Sequence, residues 1–219
     1  MPPTITVTGI GKISAVPDIA QINVGVVTQA ATAGEALAGN SSSMTKLYAI
    51  LKERGVATKD LQTSQVSISP VYSQPAPHNP QAPNNEFVPR IVGYRVDNTL
   101  EITARKIEKL GELLDALVQS GANQIHGISF RVDKPEGLLD SARKQAMQDA
   151  KRKAEMLAGE AGVVVGHPRS ISEGSDFQPP VPKFAGAMRM MAADSTPVAA
   201  GEQELSVTVN VVYELILPK

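Results

Sequence analysis

The chain has 219 residues, a formal net charge of −1 and no cysteine or tryptophan, with 42% hydrophobic and 20% charged residues. This composition is ordinary for a soluble globular protein, and its balanced charge excludes a global attraction to nucleic acid or anionic membranes. The lack of cysteine excludes disulfides, thiolate zinc sites and cysteine nucleophiles. No apolar run approaches the ~18 residues that span a bilayer, so no transmembrane span is predicted.

The N-terminal region is predicted to begin with two strands and a helix. Alternating apolar residues predict strands over 5–13 and 22–26, joined as a β-hairpin through a turn signal at 15–18. Thr32 and Glu35 have the spacing of a capping box, which predicts the start of a helix that ends near Gly55. Its apolar stripe is predicted to contain Leu37, Asn40, Met44, Leu47 and Leu51. Asn40 is interpreted as a buried amide bonded to loop backbone, with a ligand contact as the alternative.

The middle of the chain is predicted to form a long hairpin and a short helix. Strands are predicted over 61–72 and 91–104, and the Pro-, Asn- and Gln-rich segment 73–89 between them is expected to be an exposed, mobile loop. Leucines at helical spacing over 107–118 predict an amphipathic helix stopped by Gly121. A further strand is expected around Ile128.

The longest helical pattern in the chain covers residues 138–162. Its apolar face is mostly alanine, which lets a helix approach the surface that it covers closely; the predicted face consists of Leu139, Ala142, Ala146, Ala150, Ala154, Leu157 and Ala161. Pro135 and Glu136 mark its start, and Gly162 stands just past its end. A strand over 163–171, an irregular segment over 177–201 and a strand over 205–215 complete the chain.

The predicted element order is ββαββαβαββ. Hairpins mixed with helices favour an α+β fold in which three helices pack on an antiparallel or mixed sheet. We expect a single domain over residues 4–217, with irregular segments at 73–89 and 177–201. A helix, a glycine and then a strand recur at Gly55, Gly121 and Gly162, which suggests repeated helix-on-sheet units.

No motif predicts a catalytic residue, a cofactor or a metal site. The stretch from Gly9 to Lys12 only superficially resembles a phosphate loop, and its glycines are interpreted as a bend or bulge in a strand. Three histidines are far apart in sequence: His78, His126 and His167. Three acids remain open as catalytic candidates, although nothing in the pattern distinguishes them from other carboxylates: Asp97, Glu101 and Glu173.

Two other clusters have both a functional and a structural interpretation. The basic residues of the long helix are interpreted as a solvated face, with contact to acidic lipid or a partner as the alternative; they are Arg143, Lys144, Lys151, Arg152 and Lys153. Met188, Met190 and Met191 are soft, oxidisable side chains in the second irregular segment. Packing at a subunit or loop contact is favoured for them, with oxidant scavenging and Cu(I) binding as alternatives.

Several stretches together resemble the SIMPL-domain family of bacterial exported proteins. They include TGIGKISAVPDIAQINVGV near the start, GVATKDLQTSQVSISPVY in the hairpin, ARKQAMQDAKRKAEMLAGEAG in the long helix and TPVAAGEQELSVTVNVVYEL near the end. The resemblance covers about residues 4–217. It implies a periplasmic or envelope-associated protein linked to stress tolerance, and it supplies no catalytic or cofactor residues. Residues 1–3 lack the features of a signal peptide, so the signal peptide of such a protein is expected to have been removed.

The leading hypothesis is a non-enzymatic envelope protein that self-associates into a homo-oligomer. The two long strands near the chain ends and the Pro-rich tips are expected to offer edges for strand addition between subunits. Envelope proteins are further expected partners, and nucleic acid is not. A binding protein for a small apolar ligand or an outer-membrane partner is the first alternative, and an enzyme of undescribed type is the second.

Overall fold

The computed structural model describes residues 2–74, 87–174 and 198–217, and the backbone alone of 181–183. Within them, eight strands and three α-helices follow one another in the order ββαββαβαβββ. The strands are β1 (Thr4–Ala15), β2 (Ile19–Ala30), β3 (Leu61–Tyr72), β4 (Ile91–Ala104), β5 (Gln124–Arg131), β6 (Val164–Glu173), β7 (Val181–Lys183) and β8 (Glu202–Ile216). The helices are α1 (Ala33–Glu53), α2 (Leu110–Gln119) and α3 (Glu136–Glu160), and short 3-10 turns span Thr58–Asp60 and Ile107–Lys109.

The α+β class is confirmed, but the strands form two sheets where one was expected. One sheet has the order β1-β8-β6, with β7 also paired to β8, and the other has the order β3-β4-β2-β5. All the pairings are antiparallel. The predicted hairpin of β3 and β4 is confirmed. The short strand β7 was not predicted.

The predicted hairpin of the first two strands is wrong. β1 pairs with β8, whereas β2 pairs with β4 and β5. Alternating apolar residues determine which face of a strand is buried, and they do not identify its neighbour. The turn signal at 15–18 therefore marks the place where the chain leaves one sheet and enters the other, and the backbone N–H of Asp18 donates to the Arg131 carbonyl at the start of β2.

The chain divides into two compact units, each with its own sheet and core. The first unit consists of residues 1–17, 132–189 and 200–219, and the second consists of residues 18–131 and 190–199. The first therefore contains α3 and the β1-β8-β6 sheet, and the second contains α1, α2 and the β3-β4-β2-β5 sheet. The sequence predicts that both units belong to a single domain over 4–217, and this stays a prediction.

The core of the second unit is built from large aliphatic side chains. Those with no exposed surface include Ile22, Val96, Leu100 and Ile102 from the strands and Leu47, Leu51, Leu110 and Leu117 from the helices. The predicted capping box of α1 is present, because Thr32 accepts from the Glu35 N–H and Glu35 accepts from the Thr32 N–H. Leu37 was predicted on the buried stripe, but Ala36 is buried in its place and Leu37 is largely exposed.

Asn40 is the buried polar residue of this core. Its amide donates to the carbonyls of Val26 (2.8 Å) and Val96 (3.4 Å), so the predicted buried amide is present. Its acceptors lie on β2 and β4 rather than on a loop. The amide thus ties α1 to the two central strands of its sheet, which is a structural role.

The core of the first unit is built around small residues. The buried residues of α3 are all alanine: Ala142, Ala146, Ala150, Ala154 and Ala158. They face Val7 on β1 and the apolar side of β8, which contributes Val207, Val209, Val211 and Tyr213. Close packing through an alanine face is therefore confirmed. Leu157 was predicted on this face, but it is 48% exposed, since the buried stripe continues through Ala158 instead.

Gly9 and Gly11 allow this close approach. A Cβ on Gly9 would overlap the carbonyl oxygen of Ala146, and one on Gly11 would overlap that of Ala142. The interpretation of these glycines as a bend or bulge is wrong, because β1 keeps an unbroken register with β8 through both of them. Each lacks a side chain because a helix backbone occupies the space.

All three helices end with the same turn. Gly55, Gly121 and Gly162 have positive φ angles of 80°, 106° and 71°. In each case the next residue donates its N–H to a carbonyl five residues earlier, as Val56 does to Leu51, which is the Schellman motif. The glycine that recurs in the sequence therefore marks the same helix-terminating turn three times.

Candidate functional site

The far end of the β3–β4 hairpin carries seven of the large apolar side chains that are exposed in the described residues. We call residues 66–72 and 87–92 the distal arm. Its exposed large apolar side chains are Val66, Ile68, Tyr72, Phe87, Val88, Ile91 and Val92. Val66 is 54% exposed and Val92 is 60% exposed. Contiguous apolar surface of this kind marks interaction sites more often than single exposed residues do.

The tip of the distal arm is exposed because its supporting strand stops, whereas Val66 and Ile68 lie where β4 still pairs with β2. β2 ends at Ala30, which lies opposite Tyr94 on β4. Beyond that point β3 and β4 pair only with each other, through Val71 with Gly93 and Tyr72 with Ile91. The ribbon is extended by the Ser73 N–H, which donates to the Arg90 carbonyl (2.8 Å). A two-stranded ribbon is marginally stable alone, so the arm gains most from being covered.

The strands near the chain ends do not offer the open edges that were expected. β8 lies inside its sheet, between β1 and β6. β1 is at an edge, but side chains of α3 occupy its middle: the N–H groups of Ile10 and Lys12 donate to Asp149 (3.1 Å) and Gln145 (3.2 Å). Lys153 also donates to the carbonyl of Thr8 (2.9 Å). Strand addition at the middle of β1 would have to displace these bonds.

The basic cluster of α3 is largely engaged in ion pairs. Asp149 accepts from Arg152 (2.6 Å) and Lys153 (2.7 Å), and Lys151 lies 3.7 Å from Glu155. Hydrogen bonds from Lys153, the Ile10 N–H and Arg152 hold the pKa of Asp149 well below its usual range. These contacts favour the solvated-face interpretation over a surface for acidic lipid.

The three candidate acids belong to different units, and two of them are engaged by arginines. Asp97 and Glu101 lie on β4, and Asp97 is bound by Arg95 through two nitrogens, with distances of 2.6–3.1 Å. This hydrogen bonding by Arg95 lowers the pKa of Asp97. Glu173 belongs to the other unit, where Arg143 binds it at 3.0 Å and lowers its pKa in the same way.

The two described histidines also belong to different units. His126 lies on β5 of the second unit and His167 on β6 of the first, while His78 lies outside the described residues. Within 2–74, 87–174 and 198–217, no group of three His, Asp or Glu side chains could hold a metal ion. In the same residues no helix has the length and apolar character needed to cross a membrane.

The three methionines of the second irregular segment are not among the described residues. Met188, Met190 and Met191 lie outside the described residues, as do 75–86 of the first irregular segment and most of the second. Their roles in packing, oxidant scavenging or Cu(I) binding stay predictions.

One ion pair in the second unit was not predicted from the sequence. Arg105 binds Asp60 through two nitrogens, with distances of 2.9–3.1 Å, and the side chain of Asp60 is only 7% exposed. The two residues are 45 positions apart, in a 3-10 turn and just after β4. No local pattern connects residues at that distance; the only signal was an acid directly before a predicted strand and an arginine directly after another.

The sequence matches one family model over residues 5–213, that of SIMPL, "Protein of unknown function (DUF541)". It is similar to the 26 kDa periplasmic immunogenic protein of Brucella melitensis, with 39% identity over 218 residues, covering 98% of this chain and 85% of the relative. It is also similar to the uncharacterized protein YggE of Escherichia coli, with 30% identity over 201 residues, covering 91% and 76%. The resemblance noted in the sequence is thereby confirmed, and the chain belongs to the SIMPL family.

Proposed function

We propose that this chain is a non-enzymatic, exported envelope protein that acts as a homo-oligomer and supports tolerance of envelope or oxidative stress. The name of the Brucella relative, a periplasmic immunogenic protein, supports the location. The exposed distal arm supports assembly, because it presents seven large apolar side chains, and beyond Tyr94 its two strands pair with no third strand in the described residues.

A second copy of the chain suits the distal arm for reasons of symmetry. β3 is the outer strand of its sheet, so one of its edges has no neighbouring strand in the described residues. Two β3 edges related by a twofold axis would run antiparallel and place like apolar residues near one another. Pro70 lacks an N–H and limits backbone pairing at its position, so most of the contact is expected between side chains.

The test compares two pairs of lysine substitutions by size-exclusion chromatography with light scattering. Wild-type protein at micromolar concentration should exceed the 23.1 kDa monomer mass. Val66→Lys combined with Ile68→Lys should reduce the measured mass to that of the monomer, because lysine charges on an edge strand oppose association. Val118→Lys with Leu157→Lys replaces two apolar residues that are equally exposed but lie on helices, and should leave the assembly intact.

The outcomes of this test are distinct. A wild-type monomer across concentration and salt would rule out self-assembly. If the arm variant remained oligomeric, the interface would lie outside the distal arm. A strain that lacks the protein and is challenged with peroxide then tests the physiological part: wild-type protein should restore survival, and the monomeric arm variant should restore less.

A further inference from the structure

We propose that the second unit binds a small anion that carries an apolar group, in a cleft beside Arg105. The cleft has a volume of about 400 Å³, within the usual range for small-molecule sites. It is bounded by the turn that ends α1, the 3-10 turn before β3, the end of β4 and the start of α2. All of its lining residues belong to the second unit.

The charges around the cleft are unbalanced towards positive. Five basic side chains line it, namely Arg54, Lys59, Arg105, Lys106 and Lys109, against the three acids Glu53, Asp60 and Glu112. Two of the acids already have basic partners, since Asp60 binds Arg105 and Glu112 lies 3.8 Å from Arg54.

Three cations therefore remain for a ligand. Lys59, Lys106 and Lys109 are exposed and make no ion pair within the described part of the chain. Glu53 is the remaining lining acid. Three lysines that converge on one concave site favour an anionic ligand, because each contributes a charge-assisted hydrogen bond.

The helix ends at the cleft are partly closed by backbone hydrogen bonds. No side chain caps α2, but the 3-10 turn runs directly into it, and the Leu110 N–H donates to the Ile107 carbonyl. α1 also ends at the cleft, and its last turn is closed by Gly55 and Val56, whose N–H groups bind the carbonyls of Lys52 and Leu51. The preference for an anion therefore rests on the lysine side chains.

Apolar residues in the lining suit the remainder of the ligand. Val56, Ala104 and Leu113 contribute to the walls. A charged group at the lysines would leave an attached short alkyl or aryl group against these side chains. This chemistry occurs in soluble alkyl phosphates and carboxylates and also in the headgroup region of anionic lipids.

Calorimetric titration with inorganic phosphate, hexanoate, hexyl phosphate and hexylamine tests the site. Hexyl phosphate should bind most tightly and phosphate alone weakly, and hexylamine should not bind. Lys59→Gln, Lys106→Gln and Lys109→Gln combined should weaken hexyl phosphate binding by about tenfold or more. The control combines Lys46→Gln, Lys134→Gln and Lys144→Gln, three exposed lysines outside the cleft, and should retain wild-type affinity.

Other outcomes would overturn the proposal. They are an equal loss of hexyl phosphate affinity in both triple variants, binding of hexylamine as tight as that of hexyl phosphate, and no binding of hexyl phosphate at millimolar concentration. Flotation with vesicles containing phosphatidic acid distinguishes the two ligand sources. Flotation that depends on the three lysines identifies a lipid headgroup as the ligand. If the protein binds hexyl phosphate but does not float with the vesicles, the ligand is a soluble anion. The site lies outside the distal arm, so the test is independent of whether the protein assembles.

Discussion

The two units place helices on antiparallel sheets by opposite means. In the first unit the five buried residues of α3 are alanines, three of them lie against two glycines of β1, and no large side chain of the helix is buried. In the second unit, Leu47, Leu51, Leu110 and Leu117 of α1 and α2 are fully buried against β2 and β4. One unit excludes water through close approach of backbones, and the other does so through interdigitated side chains.

The two units should differ in how they tolerate substitutions that change side-chain volume. Aliphatic side chains can adopt other rotamers, so a core of large residues can adjust to substitution. A helix backbone in contact with a strand backbone cannot adjust without moving as a whole. The close approach also lets the short side chains of Asp149 and Gln145 reach the N–H groups of β1. The first unit should therefore be the more sensitive to added volume, and the second to lost volume.

Gly11→Ala should have the largest effect, a loss of about 4 kcal/mol or more in unfolding free energy. The new Cβ would overlap the carbonyl oxygen of Ala142, which is part of the helix backbone and cannot move alone. Urea denaturation measures the loss. Gly137→Ala on α3 is the control, because nothing lies within 4 Å of its Cβ position, and it should be neutral or stabilise by up to about 1 kcal/mol. Similar midpoints for the two variants would refute the close approach.

The sequence predicted this close approach but not which strand receives it. The alanine stripe is a local pattern, and the helix period alone places its members on one face. Leu157 was misplaced because apolar character was weighed above position, and it lies about 100° around the helix from Ala158. The pairing of β1 with β8 joins residues about 200 positions apart, such as Thr8 with Asn210, and no local spacing encodes it.

The candidate sites show the same division between local and long-range information. The β3–β4 hairpin was predictable because its strands are consecutive in the chain. Exposure of the tip of its distal arm was not, because it depends on where β2 ends in a different part of the sequence. The cleft depends on two separate stretches of the chain, 53–60 and 103–113, and the Asp60–Arg105 pair exists only once these have come together.

Leu47→Ala tests the second unit, where lost volume should be costly. Leu47 is fully buried between α1 and its sheet, so removal of its side chain should cost about 2–5 kcal/mol through lost burial and a residual cavity. Leu157→Ala removes the same atoms from the exposed side of α3 and should change the unfolding free energy by less than about 0.5 kcal/mol. Equal losses in urea denaturation would contradict the assignment of Leu157 to the surface.

Asp149→Asn should have the smallest effect, and its size depends on pH. Hydrogen bonds from Lys153, Ile10 and Arg152 lower the pKa of Asp149 from its usual value of 3.8, so the folded state binds a proton less readily than the unfolded state does. The stabilising contribution of the carboxylate is therefore present above about pH 4 and is lost as the pH falls further. The amide variant lacks this charge at every pH.

The measurement is the urea midpoint of both proteins at about pH 7, 5 and 3. Wild-type protein should be the more stable at the two higher values, and the difference should shrink at the lowest. Glu160→Gln is the control, because Glu160 is an exposed acid at the end of the same helix with no ion pair in the described residues, and it should leave the midpoint unchanged. A pH-independent difference for Asp149→Asn would contradict a stabilising contribution from the charge of Asp149.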